Sequence, residues 1–209
     1  MLALILLALI VIVVLTSVVG RRAAKSKAEE LGEDGERHVA RILGTLAPEF
    51  EVINDLLLPC GKGYVQIDHV VISPVGIIVI ETKNYSGAIF GDDATTMWVQ
   101  DLAGRKRRFY SPVEQNETHC ACVRRHFGKR ALVYSVVVFS DRARVNAFSD
   151  KALLCSFRSL RSLIEGLNRT TAPILDADDR YEIKKAFFRL NDGSEEAKRI
   201  HRNSCERHI

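Results

Sequence analysis

The sequence predicts an α/β fold, a mixed α+β sheet flanked by helices and preceded by one transmembrane helix. Three observations carry that reading. The chain opens on an uncharged apolar run, residues 50–83 and 132–140 hold runs rich in Val, Ile and Leu, and helical periodicity surrounds them. Its 209 residues suit one domain with a short appendage. At 47% hydrophobic and 27% charged, with Gly 13 and Pro 5, the chain is not collagen-like, low-complexity or wholly disordered. A formal net charge of +4 identifies no partner. Cys60, Cys120, Cys122, Cys155 and Cys205 are irregularly spaced and read as thiols in a reducing compartment.

Leu2 to Val19 is an uncharged run of 18 residues broken only by Thr16 and Ser17. As a helix it spans about 27 Å, close to the hydrocarbon thickness of a bilayer. The competing reading is a cleaved secretory signal. No Lys or Arg precedes the run, it exceeds the usual apolar core of a signal, and no A-x-A-like site ends it. Arg21, Arg22, Lys25 and Lys27 follow, which puts the rest of the chain in the cytoplasm by the positive-inside rule. The expectation is a single-pass cell-membrane protein, with residues 1–20 as anchor, residues 2–19 against the lipid bilayer and residues 21–32 as a basic juxtamembrane linker.

A helix from about Ala28 to Leu46 follows from Val39, Ile42, Leu43 and Leu46, with Pro48 just beyond. Strands are predicted over Phe50–Leu58, Val65–Ser73 and Gly76–Lys83, punctuated by Pro59-Cys60-Gly61 and Ser73-Pro74-Val75-Gly76. A shorter strand over Met97–Asp101 carries Trp98. Ser111-Pro112 opens a helix over Val113–Phe127, and the β-branched run Leu132–Ser140 reads as a buried strand. Ala152–Cys155 suits a short strand, and Phe157–Leu167 and Asp178–Leu190 suit helices. The polar tail after Asn191 is expected to fray.

The chemistry concentrates in Val65–Lys83. If Pro74-Val75 is a two-residue turn, Asp68 faces Glu81 and Gln66 faces Lys83, all on one side of the hairpin. A bulge or longer turn would break that register. Facing carboxylates repel unless compensated, and a divalent cation such as Mg²⁺ compensates them with hard oxygen ligands. A lysine beside the pair can position or deprotonate an attacking water, or stabilise charge on a phosphoryl transition state. A solvated sheet face is the bland alternative. The apolar run Ile77–Ile80 argues against it, because a strand buried on both faces seldom ends in a carboxylate and an amine without a use for them.

Further features lie in order along the chain. Gly35-Glu36 and Val39 are followed by Val52-Ile53-Asn54-Asp55, Leu58-Pro59 and Ile67-Asp68-His69-Val70-Val71. Then come Ser73-Pro74-x-Gly76, Ile80-Glu81-Thr82-Lys83-Asn84-Tyr85-x-Gly87, Gly91, Trp98, and Ser111-Pro112 with Gln115. In these the chain resembles the NERD (nuclease-related domain) family, allied to the PD-(D/E)XK restriction-endonuclease-like superfamily, over residues 33–140 or so. Ile67 stands where the superfamily motif has proline, as in the NERD pattern. The resemblance implies a nuclease-like domain over 33–145, leaving 146–209 as a strand and helical extension with a polar tail. It implies Asp68 and Glu81 as metal ligands, Lys83 as catalytic lysine, and Glu36 and Gln115 as accessory catalytic residues. Mg²⁺, or alternatively Mn²⁺, is the implied cofactor.

The expected function is a membrane-anchored, metal-dependent nuclease acting on nucleic acid, DNA ahead of RNA. The alternative is a catalytically silent, membrane-tethered adaptor with the same fold. Arg105, Lys106, Arg107, Arg108, Arg124 and Arg125 are candidate nucleic-acid contacts, against the ordinary reading of a solvated charged face. His69, pointing away from Asp68, is read as structural. His119, Cys120, Cys122 and His126 lack the usual zinc-site spacing. No phosphate-binding loop, dinucleotide fingerprint or nucleophile elbow is present.

Overall fold

The computed structural model describes residues 27–205. The expected transmembrane run lies outside the described residues, and no described helix is long and apolar enough to cross a membrane. Helix α1 covers 27–43. Strands β1 (Glu51–Cys60), β2 (Gly63–Ser73), β3 (Gly76–Lys83), β4 (Gly87–Gly91), β5 (Met97–Leu102) and β6 (Arg105–Tyr110) follow. Then come α2 (Pro112–Phe127), β7 (Val133–Phe139), β8 (Ala143–Ala147), β9 (Leu153–Ser156), α3 (Phe157–Thr170), α4 (Ala177–Leu190) and α5 (Glu195–Cys205).

The sequence predicts one mixed sheet, and the structure has two. The central sheet runs β1-β2-β3-β7-β9, antiparallel from β1 to β3 and parallel from β3 to β9. The second runs β6-β5-β4-β8, antiparallel except for the parallel β4–β8 pair. Its strands β4, β6 and β8 carry little apolar signal. β4 is five residues with glycine at both ends, and β6 begins with four cations. Tertiary pairing, not local propensity, makes them strands.

Each face of the central sheet is covered. On one, Val39 and Leu43 of α1 and Leu160 and Ile164 of α3 pack on Val71, Ile78, Ile80 and Val136. On the other, Val123 and Phe127 of α2 and Ile183 and Phe187 of α4 pack on Val70, Ile72, Ile77 and Val79. β3 is therefore buried along both faces, as its apolar run requires, and only Lys83 at its end is part-exposed. A third cluster joins Ile89, Trp98 and Phe109 of the second sheet to Val113, Val137 and Phe139.

The tail does not fray over its described length. α5 seats Ala197 in the interior, and its His201 Nδ1 lies 3.0 Å from the Tyr64 carbonyl oxygen. The segment before it is also tied down: Asn191 Oδ1 accepts from Leu57 N–H at 2.9 Å, and Tyr64 donates to Asp192 at 2.8 Å. A mostly charged composition hides Ala197, which is buried, and Ile200 one turn on, which is half-buried.

Candidate active site

The β2–β3 hairpin closes as its sequence predicts. Ser73 pairs with Gly76 across Pro74-Val75, and the register runs to His69 opposite Ile80. Gly76 has φ +142, and a Cβ there would stand 2.6 Å from the Leu132 carbonyl oxygen, so the turn needs glycine. Beyond His69–Ile80 the ladder changes character. The Thr82 N–H donates to Asp68 Oδ2 at 2.8 Å, so a carboxylate takes the place of a ladder carbonyl. Asp68 is thereby fixed beside the end of β3.

Gln66 does not face Lys83. It is exposed and donates to Asp55 Oδ1 at 3.0 Å, because β2 stays paired with β1 after it has left the β3 ladder. Asp55 itself adopts φ 53, a left-handed conformation that Asp tolerates better than most side chains.

Glu81 is 2% exposed. Its Oε1 accepts from Lys83 Nζ at 2.7 Å, and Nζ also donates to Gln115 Oε1 at 2.9 Å. Gln115 reaches Nζ because α2 starts where Ser111-Pro112 predicts, with the Ser111 side chain accepting from Glu114 N–H. The other oxygen, Oε2, lies 3.4 Å from His119 Nδ1, one helical turn beyond Gln115. Neither atom has a hydrogen-bond partner among the described residues. His119 was not among the expected site residues. Its i+4 spacing from Gln115 is the signal that points to it.

Asn116 sets the phase of that helix. Fully buried, its amide nitrogen lies within 3.1 Å of Val79 O, Ser135 Oγ and Val136 O, which pins α2 to β3 and β7. Glu36 arrives from α1. Gly35 lets that helix approach, since a Cβ there would stand 2.6 Å from Asn84 Cβ, and Asn84 in turn donates to the Leu31 carbonyl. Glu36, Asp55 and Asp68 line an open cleft of about 320 Å³.

The electrostatics are those of crowded carboxylates. Burial, then Glu81 and Glu36, push Asp68 well above the usual carboxylate range. Burial, then Glu81 and Asp55, also raise Glu36. Burial disfavours the Lys83 ammonium, but Glu81, Tyr85 and Asp68 outweigh it and hold its pKa up at about 12. Burial lowers His119, and burial takes His69 down to about 4. His69 sits 2.8 Å from Asn54 Oδ1 and lines the same cleft as Glu36 and Asp68, so it is not remote from the site.

The structure thus brings Asp68, Glu81, Lys83, Gln115 and Glu36 together. Among the described residues no three His, Cys, Asp or Glu side chains converge closely enough to hold a metal by themselves. Asp68 and Glu81 still fit a hard divalent ion completed by water and phosphate oxygens, since Glu81 keeps a buried acceptor without a hydrogen bond. Arg124 and Arg125 lie elsewhere. They line a cavity of about 840 Å³ near the start of β7, which pairs with Ile77, whereas Glu81 pairs with Val137. Arg105 to Arg108 form the outer edge of the second sheet. Cys120 and Cys122 are core residues, and His126 Nε2 rests 3.1 Å from the Pro59 carbonyl oxygen.

Fold and site together define a protein of nuclease-like architecture. Residues 31–140 match the nuclease-related domain family, NERD, and the chain belongs to it. An uncharacterized protein of Bacillus anthracis is 30% identical over 186 residues, covering 87% of this chain and 84% of that one. No solved structure gives a significant match.

Proposed function

We propose that this protein is a divalent-metal-dependent nuclease that hydrolyses phosphodiester bonds, in DNA ahead of RNA. In this reading residues 2–19 hold it in the cell membrane with the domain on the cytoplasmic side. The observation that carries the reading is the convergence of Asp68, Glu81, Lys83, Gln115 and Glu36 within a nuclease-related domain. Asp68 and Glu81 would hold Mg²⁺ or Mn²⁺, which when bound polarises a phosphoryl oxygen and acidifies a water. Lys83 stays an ammonium at neutral pH, so its part is to stabilise charge on the phosphoryl oxygens and not to act as a base. Gln115 holds Nζ in place, and the His119 ring lies beside the second Glu81 oxygen. Glu36 adds a third acidic group on the cleft side.

The test is cleavage of a DNA and RNA panel by the full-length protein in Mg²⁺, Mn²⁺ or EDTA, beside Asp68→Ala and Lys83→Ala. Metal-dependent cutting lost in both variants supports the reading. Cutting that survives both belongs to a contaminant.

One observation favours the tethered adaptor: Glu81 is already neutralised by Lys83, and among the described residues no three ligand side chains converge closely enough to hold a metal. A folded protein that neither cuts nor binds Mg²⁺ by calorimetry would support that alternative.

A further inference from the structure

The second sheet has an inner face that is full and an outer face that is open. Alternation along the strands sends Ile89, Trp98 and Phe109 inward to the third core cluster. The same alternation sends Phe90, Met97, Val99 and Tyr110 outward. Phe90 is 45% exposed, Met97 43% and Tyr110 50%. Phe148, whose N–H extends the β8 edge onto the Gly91 carbonyl, is 66% exposed. Singly exposed apolar residues are ordinary, but this many around one sheet face are not.

Cations frame that face. Val99 pairs with Arg108 on one side and Phe90 on the other, so Arg108 lies two strand spacings, about 10 Å, from Phe90. Lys106 stands two residues along from Arg108 and opposite Asp101, the one carboxylate that β4, β5 and β6 place on this face, and Arg144 projects from β8 at the opposite border. The helix cations Arg37, Arg161, Lys185 and Arg199 each pair with a nearby carboxylate. Among the described residues, Lys106, Arg108 and Arg144 have no ion-pair partner. Charges on an edge strand ordinarily discourage sheet-to-sheet association. That accounts for the cations of β6 but not for Tyr110 on the same strand or for Phe90 between it and Arg144.

We infer that the outer face of the β6-β5-β4-β8 sheet is a binding platform for single-stranded nucleic acid, on which bases stack against Phe90 and Tyr110 while Lys106, Arg108 and Arg144 take the phosphates. A flat sheet with exposed aromatic rings between cations has the chemistry such strands require, because unpaired bases offer their π-faces and a duplex does not. The platform begins close to the candidate site. Only Asn84-Tyr85-Ser86 separate Lys83 from β4, a reach of at most about 14 Å. The inference shares with the proposed function the premise that nucleic acid is the ligand, but not the premise that it is cut.

The test is fluorescence anisotropy of a labelled 20-nucleotide oligo-dT with the full-length protein in mild detergent and EDTA, where metal-dependent cutting is absent. Phe90→Ala and Tyr110→Ala should each weaken binding about tenfold, the size of one lost base stack. An abasic strand of equal length should bind more weakly and ignore both substitutions. Lys106→Glu with Arg108→Glu should weaken both strands and flatten the salt dependence. Melting temperature checks that these surface variants fold. Equal binding by wild type and aromatic variants would overturn the inference. So would loss of anionic-vesicle binding in those variants with oligo-dT binding intact, which would give the face to a lipid surface. Metal-dependent cleavage with unaltered strand binding in the variants would leave the proposed function standing alone. Platform-dependent binding without cleavage would do the reverse.

Discussion

One oxygen of Glu81 accepts from the Lys83 ammonium, the other lies near the His119 ring without a hydrogen bond, and Asp68 and Glu36 crowd it electrostatically. Such a site gathers carboxylates whose charged forms burial and mutual repulsion disfavour. Asp68 and Glu36 both sit above the ordinary carboxylate range, burial being the first cause in each. For a raised acid the sign is fixed. The stability is fully present below the unfolded pKa, near 4, and is lost as pH rises through the folded value. In EDTA the protein should therefore lose stability as pH climbs from about 4 through these raised values. Asp68→Asn keeps an acceptor for the Thr82 N–H but cannot ionise. It should flatten that slope, raise the melting temperature at pH 7 by a few degrees at about 2–4 °C per kcal/mol, and abolish cleavage. A variant that melts at or below wild type at pH 7 would contradict the account.

Two elements deliver the remaining side chains, and each is held by one small contact. α2 is phased by Asn116, whose amide bridges two backbone carbonyls and Ser135 in a buried seam. Asn116→Ala leaves buried acceptors unpaired and should cost about 1–3 kcal/mol in urea unfolding. Because Gln115 and His119 ride on the same helix, cleavage should fall further than stability explains. α1 is seated by Gly35 against Asn84. Gly35→Ala raises helix propensity, by about 1 kcal/mol in an exposed helix, yet forces the helix off its neighbour. Lower cleavage without any gain in melting temperature is the expected result. A stabilised and fully active Gly35→Ala protein would show that the contact does not matter.

At the scale of the whole molecule, the central sheet carries the carboxylates and lysine, helices on both faces bring in Glu36, Gln115 and His119, and the second sheet stands beside the Lys83 end. A divalent ion that binds only the folded protein stabilises it by about 2.7 kcal/mol at a hundred times its Kd. Mg²⁺ should therefore raise the melting temperature of the wild type by about 5–10 °C, and that of Asp68→Asn hardly at all. Thermal scans of both proteins across a Mg²⁺ series give the answer. Equal shifts in the two would place the ion elsewhere.

Local pattern was enough for the centre of the site. Asp68 and Glu81 are placed side by side because a two-residue turn fixes the register as far as His69–Ile80, the pair just before them. Lys83 shares the Glu81 side by strand alternation, although Gln66 does not follow. The buried β3 and the capped start of α2 are legible for the same reason, since neighbours in sequence determine them. Glu36 and Gln115 emerged from the family resemblance and not from periodicity, because nothing local says which turn of a helix will meet a sheet. His119 was weighed only as a zinc ligand and not beside Glu81 on the same account, as its facing depends on Asn116 reaching β3 and β7 across the fold. Arg105–Arg108 read as a charged cluster and proved to be a strand, and the charged tail proved to be a helix. In both, the stabilising contacts come from residues far along the chain. The sequence by itself therefore determined the hairpin and its charges. Only the tertiary structure decided what those charges meet and which face of the second sheet stays open, because helix phase and sheet pairing are set by packing between distant segments.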